Sequence, residues 1–209
     1  MTYLPQAFRA LWHELPVLVA AGVLVCVSSG LVVLVSPGLS PVSLLLGAVL
    51  VGPTWAAVTA TTDSIVREDR GGVLLLLQNL KRHALAGLEV ACVPAVIGAL
   101  ALLNWQLSTS AVFAIPLAVS GCASVLALLG SCHAFSLRVT TGLRGKRLWV
   151  TALHLVAKAP LVPLGVLALA FVALLLGTSV TASLLLLAPG PVALFASAGT
   201  WTEKHALHR

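Results

Sequence analysis

The sequence predicts an all-α membrane protein: six transmembrane helices in three hairpins, with cytoplasmic amphipathic lead-in helices and both termini in the cytoplasm. Three observations lead there. Of the 209 residues, 59% are hydrophobic and 9% are charged, against about 25% charged in soluble domains. A core of this size could not hide so much Leu, Val and Ala, so the bilayer is the natural solvent. The apolar residues also fall in runs of spanning length, since about 20 residues at about 1.5 Å each cross about 30 Å of hydrocarbon. Finally, the 12 Lys and Arg lie in the tails and two long loops or just beside them, and none falls in Ser36–Pro41, Asn104–Ser110 or Gly177–Val180. The net charge of +6 therefore reads as a positive-inside bias rather than a nucleic-acid surface, and no nucleic-acid partner is expected.

In chain order, Met1 to Glu14 reads as an interfacial helix, since Phe8, Leu11, Trp12 and the following Leu15 recur at helical spacing. It lacks a basic n-region and a small-residue cleavage site, so the following run reads as a span rather than a signal peptide. Span 1 covers residues 15–35 and ends at Ser36-Pro37-Gly38. Span 2 covers 42–62 and contains Gly52-Pro53, where a missing amide favours a kink; Ala56 and Ala60 form a small-xxx-small pair. Asp63 to Arg70 is expected as a charged turn closed by Gly71-Gly72, and Val73 to His83 as a second amphipathic lead-in. Span 3 covers 85–103 with Pro94 near its centre, and Asn104 to Ser110 is an outer loop. Span 4 covers 111–135 and Ser136 to Lys158 is a second charged loop, whose part from Leu148 to Val156 is a third lead-in. Span 5 covers 159–176, entered through Pro160 and Pro163. Span 6 covers 181–200 with Pro189-Gly190-Pro191 near its middle, followed by a short polar tail. Two return spans share a Gly-Pro, Gly52-Pro53 and Gly190-Pro191, and the lead-ins ALWHELPVLV, NLKRHALAGL and LHLVAKAPLV end alike, which suggests a threefold repeat of hairpins; the middle return span, with Pro116 elsewhere and no Gly-Pro, argues against it.

Few residues carry chemistry. Cys26, Cys92, Cys122 and Cys132 lie apart inside apolar runs, without zinc spacing, and read as small apolar side chains. His83 and Glu89 are six residues apart, which excludes an H-E-x-x-H pair. Ser131-Cys132-His133 side chains diverge around a helix. With no Gly-rich phosphate loop, paired carboxylates or Ser/His/Asp arrangement, no catalytic residue, metal or cofactor is expected.

Glu89 is the one acidic residue inside an expected span, and an intramembrane carboxylate is a functional candidate by default. Two roles stay open for it. One is an ion or substrate contact at a cytoplasmic mouth, together with His133 and with Asp63 bordering the same level. The other is an interfacial role, pairing with Arg82 or Lys81. The helix-break positions Gly52, Pro53, Pro94, Gly190 and Pro191 are candidates for a mid-membrane site. Lys81, Arg82, Arg144, Lys146 and Arg147 are expected to hold the inner face against anionic lipid, at about 1 kcal/mol per basic residue.

The motif GPTWAA, the turn IVRED, the segment LLLLQNLKRHALAG and the later LWVTALHLVAKAPLVPLG together resemble the YesL-like family, a domain of unknown function numbered 624. Leu76 and Leu80 stand where that family often has Phe. The resemblance implies a bacterial integral membrane protein of the cytoplasmic membrane, akin to components associated with carbohydrate uptake, with no established reaction. The expected function is thus a non-catalytic accessory or assembly component of a solute transport system, with a transporter as partner. The alternative is a small transporter or channel that uses the breaks near Pro53, Pro94 and Pro191. A polar cavity lined by Glu89 and those breaks would favour transport, and a solid centre would favour a scaffold. The oligomeric state is left open.

Overall fold

The computed structural model describes residues 12–68, 71–107, 114–179 and 187–207. Among these residues the chain forms seven helices and no strand: α1 (Leu15–Val35), α2 (Pro41–Glu68), α3 (Val73–Gln106), α4 (Ala114–Thr141), α5 (Gly145–Lys158), α6 (Leu161–Ser179) and α7 (Pro189–Leu207). The helices α1 to α4 are each long and apolar enough to cross a membrane. The pair α5 and α6 meets the same test only as a unit bent by 91°. The protein is therefore all-helical with four, or at most five, membrane-crossing candidates among the described residues, where the apolar runs predict six. The sixth expected span enters the described residues only at 187, and α7 carries on past Thr200 into the polar tail.

Several boundaries move because charged and polar residues do not by themselves end a helix. The expected charged turn from Asp63 is helical as far as Glu68, and the next helix starts only after Gly71-Gly72. The second lead-in is not a separate element. Val73 to His83 and the expected span 3 form one 34-residue helix, about 51 Å long at about 1.5 Å per residue, so α3 outreaches about 30 Å of hydrocarbon. No proline or glycine interrupts Lys81 to Ala86, and nothing there can stop an established helix. The expected outer loop loses Asn104 to Gln106 to the same helix. The second charged loop is likewise mostly helix. The helix α4 extends to Thr141 and stops at Gly142, whose φ of 68° is a left-handed cap conformation that glycine adopts without a Cβ penalty. The breaks expected at Gly52-Pro53 and Pro94 are absent, since both prolines lie inside continuous helices. Pro189-Gly190-Pro191 forms the first turn of α7 rather than the middle of a span; proline suits that position because its missing N–H would have no partner there.

The turn between α1 and α2 shows how local chemistry starts a helix. The Ser43 amide donates to Ser40 Oγ (3.0 Å) and the Ser40 amide donates to Ser43 Oγ (2.9 Å). This reciprocal pair is a serine version of the capping box, and it satisfies two amides that a helix start leaves over.

The helices α2 and α3 form the closest-packed hairpin. Gly52 and Ala56 on α2 face Gly87 and Ala91 on α3. A Cβ placed on Gly52 would lie 2.7 Å from Ala91 Cβ, and one placed on Gly87 would collide with the Gly52 carbonyl and lie 2.7 Å from Ala56 Cβ. Two small-xxx-small stripes therefore meet at backbone contact, the arrangement that lets helices associate where lipid offers no hydrophobic drive. Trp55, one position from this seam, packs against three apolar clusters that draw on α1 to α7. The helix α7 is packed among α1, α2, α4 and α6. A Cβ on its Gly190 would meet Leu18 of α1 at 2.8 Å, and one on its Gly199 would collide with Val162 of α6.

The helix α5 buries Leu148, Ala152, Leu155 and Val156 on one face and exposes Lys146, Arg147 and Val150 on the other. Trp149 and Leu153 close over Gly130 of α4. Such a helix at right angles to α6 has the geometry of an element lying in an interface.

Candidate functional site at the basic end of the bundle

The antiparallel order brings the end of α2, the start of α3 and the end of α4 to one end of the molecule, where α7 also finishes. These are the ends that carry Arg67, Lys81, Arg82 and Arg138. The fold gathers most of its interhelical polar contacts here, centred on Asp63.

Asp63 is 3% exposed. Ser136 Oγ of α4 lies within hydrogen-bonding reach of both carboxylate oxygens, at 3.1 and 2.9 Å. The indole N–H of Trp201 on α7 donates to Oδ1 at 3.1 Å. One carboxylate thus ties three helices, as a buried charge requires if it is to offset the loss of water. The Arg67 guanidinium stacks 4.4 Å from the centroid of the Trp201 ring, a cation–π geometry that places a positive charge on the outer side of the same cluster. Beside it, Thr62 and Ser197 hydroxyls meet at 3.1 Å, and His133 Nδ1 meets Thr200 Oγ1 at 2.9 Å. Thr200 Oγ1 also donates to the Ala196 carbonyl at 2.8 Å. On the other flank Asn79 Nδ2 of α3 donates to Thr61 Oγ1 of α2 at 3.1 Å.

Beside this cluster lies a cavity of about 200 Å3, lined by Asp63, Ser64 and Arg67 of α2, Asn79, Arg82 and His83 of α3, and Thr140 of α4, with Ala60 and Val139. Arg67 and Arg82 are exposed and reach it from different helices.

Glu89 lies apart from the Asp63 cluster. It accepts from Arg138 Nε and Nη2 at 3.0 and 2.9 Å, and from the Gly145 amide at 3.3 Å. The expected partners were Arg82 and Lys81, on its own helix; the actual partner comes from α4. The glutamate side chain is 39% exposed and Arg138 11%. The pair joins α3 to the end of α4 and the start of α5, which makes it a clamp on that corner. Glu89 and His133 do not meet.

A second cavity, of about 490 Å3, lies among α2, α3, α4, α6 and α7. Gly52 and Pro94 line it, with Trp55, Phe135 and Val166, and its polar groups are those of Ser43, Ser131 and Cys132. Neither Pro53, Pro191 nor Glu89 contributes. It is neither the polar cavity expected of a transport path nor the solid centre expected of a scaffold. Of the expected headgroup contacts, Lys81, Arg82, Arg144, Lys146 and Arg147 are all exposed at the basic end. Among the described residues no three His, Cys, Asp or Glu side chains come together as metal ligands.

Sequence reasoning missed Ser136, Thr200 and Trp201, which the span count left in a loop, at a span's end and in the tail. One signal was present. Ser197, Thr200 and Trp201 recur at i, i+3 and i+4, one helix face, in a chain otherwise poor in polar groups. Compared with known protein families, with curated proteins and with solved structures, the chain matches none.

Proposed function

We propose that this chain is a non-catalytic, multi-pass protein of a bacterial cytoplasmic membrane, with six spans in three hairpins and both termini inside. In this reading it serves as an accessory or assembly component beside a solute transporter, with carbohydrate uptake as the class that the YesL-like motifs point to. The basic end faces the cytoplasm and anionic lipid. The observation that carries the accessory reading is the disposition of the polar groups. Asp63, Ser136, Thr62, Ser197 and His133 are spent on one another or on α7, and Glu89 is spent on Arg138 and Gly145. The larger cavity, at Gly52 and Pro94, is lined mainly by apolar groups. A polar solute at that depth would lose water without gaining partners, at several kcal/mol on the scale of about 2–7 kcal/mol per unpaired polar group.

The contrary reading, a small transporter in its own right, rests on the same cavity, since its lining includes Gly52 and Pro94. Purification of the native complex under mild detergent separates the two. A transporter subunit recovered in stoichiometric amount supports the accessory role. Recovery of the chain alone, together with solute uptake by liposomes that contain nothing else, overturns it.

A further inference from the structure

We propose that the cavity between α2, α3 and α4 is a phosphoryl-binding site, taking either inorganic phosphate or the phosphodiester of an anionic lipid headgroup. The inference goes beyond the accessory role and does not depend on it.

The donors are arranged for an oxyanion. Arg67 and Arg82 line one cavity of about 200 Å3 from two different helices, so an occupant is contacted from two walls. A tetrahedral phosphoryl group presents oxygens in more than one direction, whereas a carboxylate is satisfied by a single guanidinium fork. Arg67 is held in place by its stacking on Trp201, and Trp201 is itself anchored to Asp63. Asn79 has one amide hydrogen on Thr61 and a second to give. At roughly 30 Å3 per water in the liquid, the cavity has room for one phosphoryl group with several waters.

The charge balance agrees. Asp63 lies at the cavity wall, but its oxygens are turned to Ser136 and Trp201. Against its single negative charge stand two arginines, which leaves the cavity net positive. Glu89, the nearest acidic residue along α3, is engaged by Arg138 and Gly145. The depth agrees as well. The helix α3 is about 20 Å longer than the hydrocarbon is thick, and Asn79 to His83 lie in its first three turns, at headgroup level. Arg144 and Arg147, exposed just before and within α5, line no such cavity.

The test uses the full chain in two settings. In lipid-free micelles, inorganic phosphate is titrated by calorimetry. In nanodiscs of phosphatidylcholine with a minor fraction of phosphatidylglycerol, retained lipid is read by native mass spectrometry. Phosphate binding in micelles identifies the free ion; retention of phosphatidylglycerol alone identifies the headgroup; either supports the site. Arg82→Gln and Arg67→Gln should each weaken binding about tenfold, the scale of one lost charge-assisted pair. Arg144→Gln, at the exposed residue that precedes α5, should change it less than about twofold. Arg82 makes no stacking contact with Trp201, so its variant carries the test even if Arg67→Gln loosens the fold. No binding in either setting overturns the proposal. So does an equal loss with Arg144→Gln, which would mean attraction to a basic surface and no site.

Discussion

Two stretches of this chain begin alike and end differently. Val73 to His83, which carries Lys81 and Arg82, and Leu148 to Val156, which Arg147 and Lys158 flank, are both amphipathic segments placed just before an apolar run. The first continues without interruption into the 34 residues of α3. The second is a separate helix, α5, bent by 91° from α6. The cause is local. Between α5 and α6 stands Ala159-Pro160; the proline biases the residue before it away from helical angles, and Ala159 has φ −139° and ψ 72°. At the corresponding place before span 3 stands Ala84, a strong helix former. Proline alone is not sufficient, however, because Pro53 and Pro94 bend nothing out of helix. The chain turns where a proline coincides with a change from amphipathic to uniformly apolar sequence. There the amphipathic α5 and the uniformly apolar α6 part into two directions. Neighbours then hold each outcome: Leu76 and Asn79 keep the start of α3 against α2, and Leu148, Ala152 and Leu155 keep α5 in its own core cluster.

Placing a proline at the straight junction is the harshest test of that account. Ala84→Pro should bend α3 and cost about 3 kcal/mol or more, read as lost stability in detergent and as a shortened distance between spin labels at Leu74 and Val96. An unchanged distance would mean that proline does not decide the corner. Next comes the seam that holds α3 straight against α2. Gly87→Leu forces a side chain into the Gly52 carbonyl and Ala56, with an expected loss of about 1–3 kcal/mol, whereas Gly47→Leu, which faces open space, should be close to neutral. If both variants unfold alike, close packing at the seam is not the reason. Removing the proline from the bent junction should do less. Pro160→Ala is expected to shift stability by about 1 kcal/mol or less and to broaden the distance distribution between labels at Val150 and Phe171, because the core contacts of α5 remain. A single longer distance would show that the proline alone made the corner. The smallest effect belongs to the clamp: Arg138→Gln leaves Glu89 with water, and a double-mutant cycle with Glu89→Gln should give under about 1 kcal/mol.

The legible part of the fold was what depends on composition. The apolar run over 15–35 and the helix α1 have the same bounds, since a uniformly apolar run between a lead-in and Ser-Pro-Gly has one outcome. The amphipathic character of Leu148 to Val156 was equally plain from spacing. Helix ends beside charge were misread: Asp63 and Ser136 look like turn and loop residues because charge and polarity usually mean solvent. Here two more helical turns are tolerated, because the polar groups find each other across helices instead of finding water. Glu89 illustrates the same gap, since its partner Arg138 is 49 residues away in sequence.

By itself, then, the sequence determined the apolar runs of membrane-crossing length, the helical class and the sites where the backbone may turn. Those follow from hydropathy, from glycine and proline, and from the spacing of apolar residues, all of them local or additive. Only the tertiary structure decided which permitted turns are taken, that Gly52 and Gly87 meet at backbone contact, and that Asp63, Ser136 and Trp201 share one hydrogen-bonded knot beside an arginine-lined cavity. Those contacts join residues 35 to 138 positions apart. Their energies arise only when whole helices pack, so no window of the sequence can contain them.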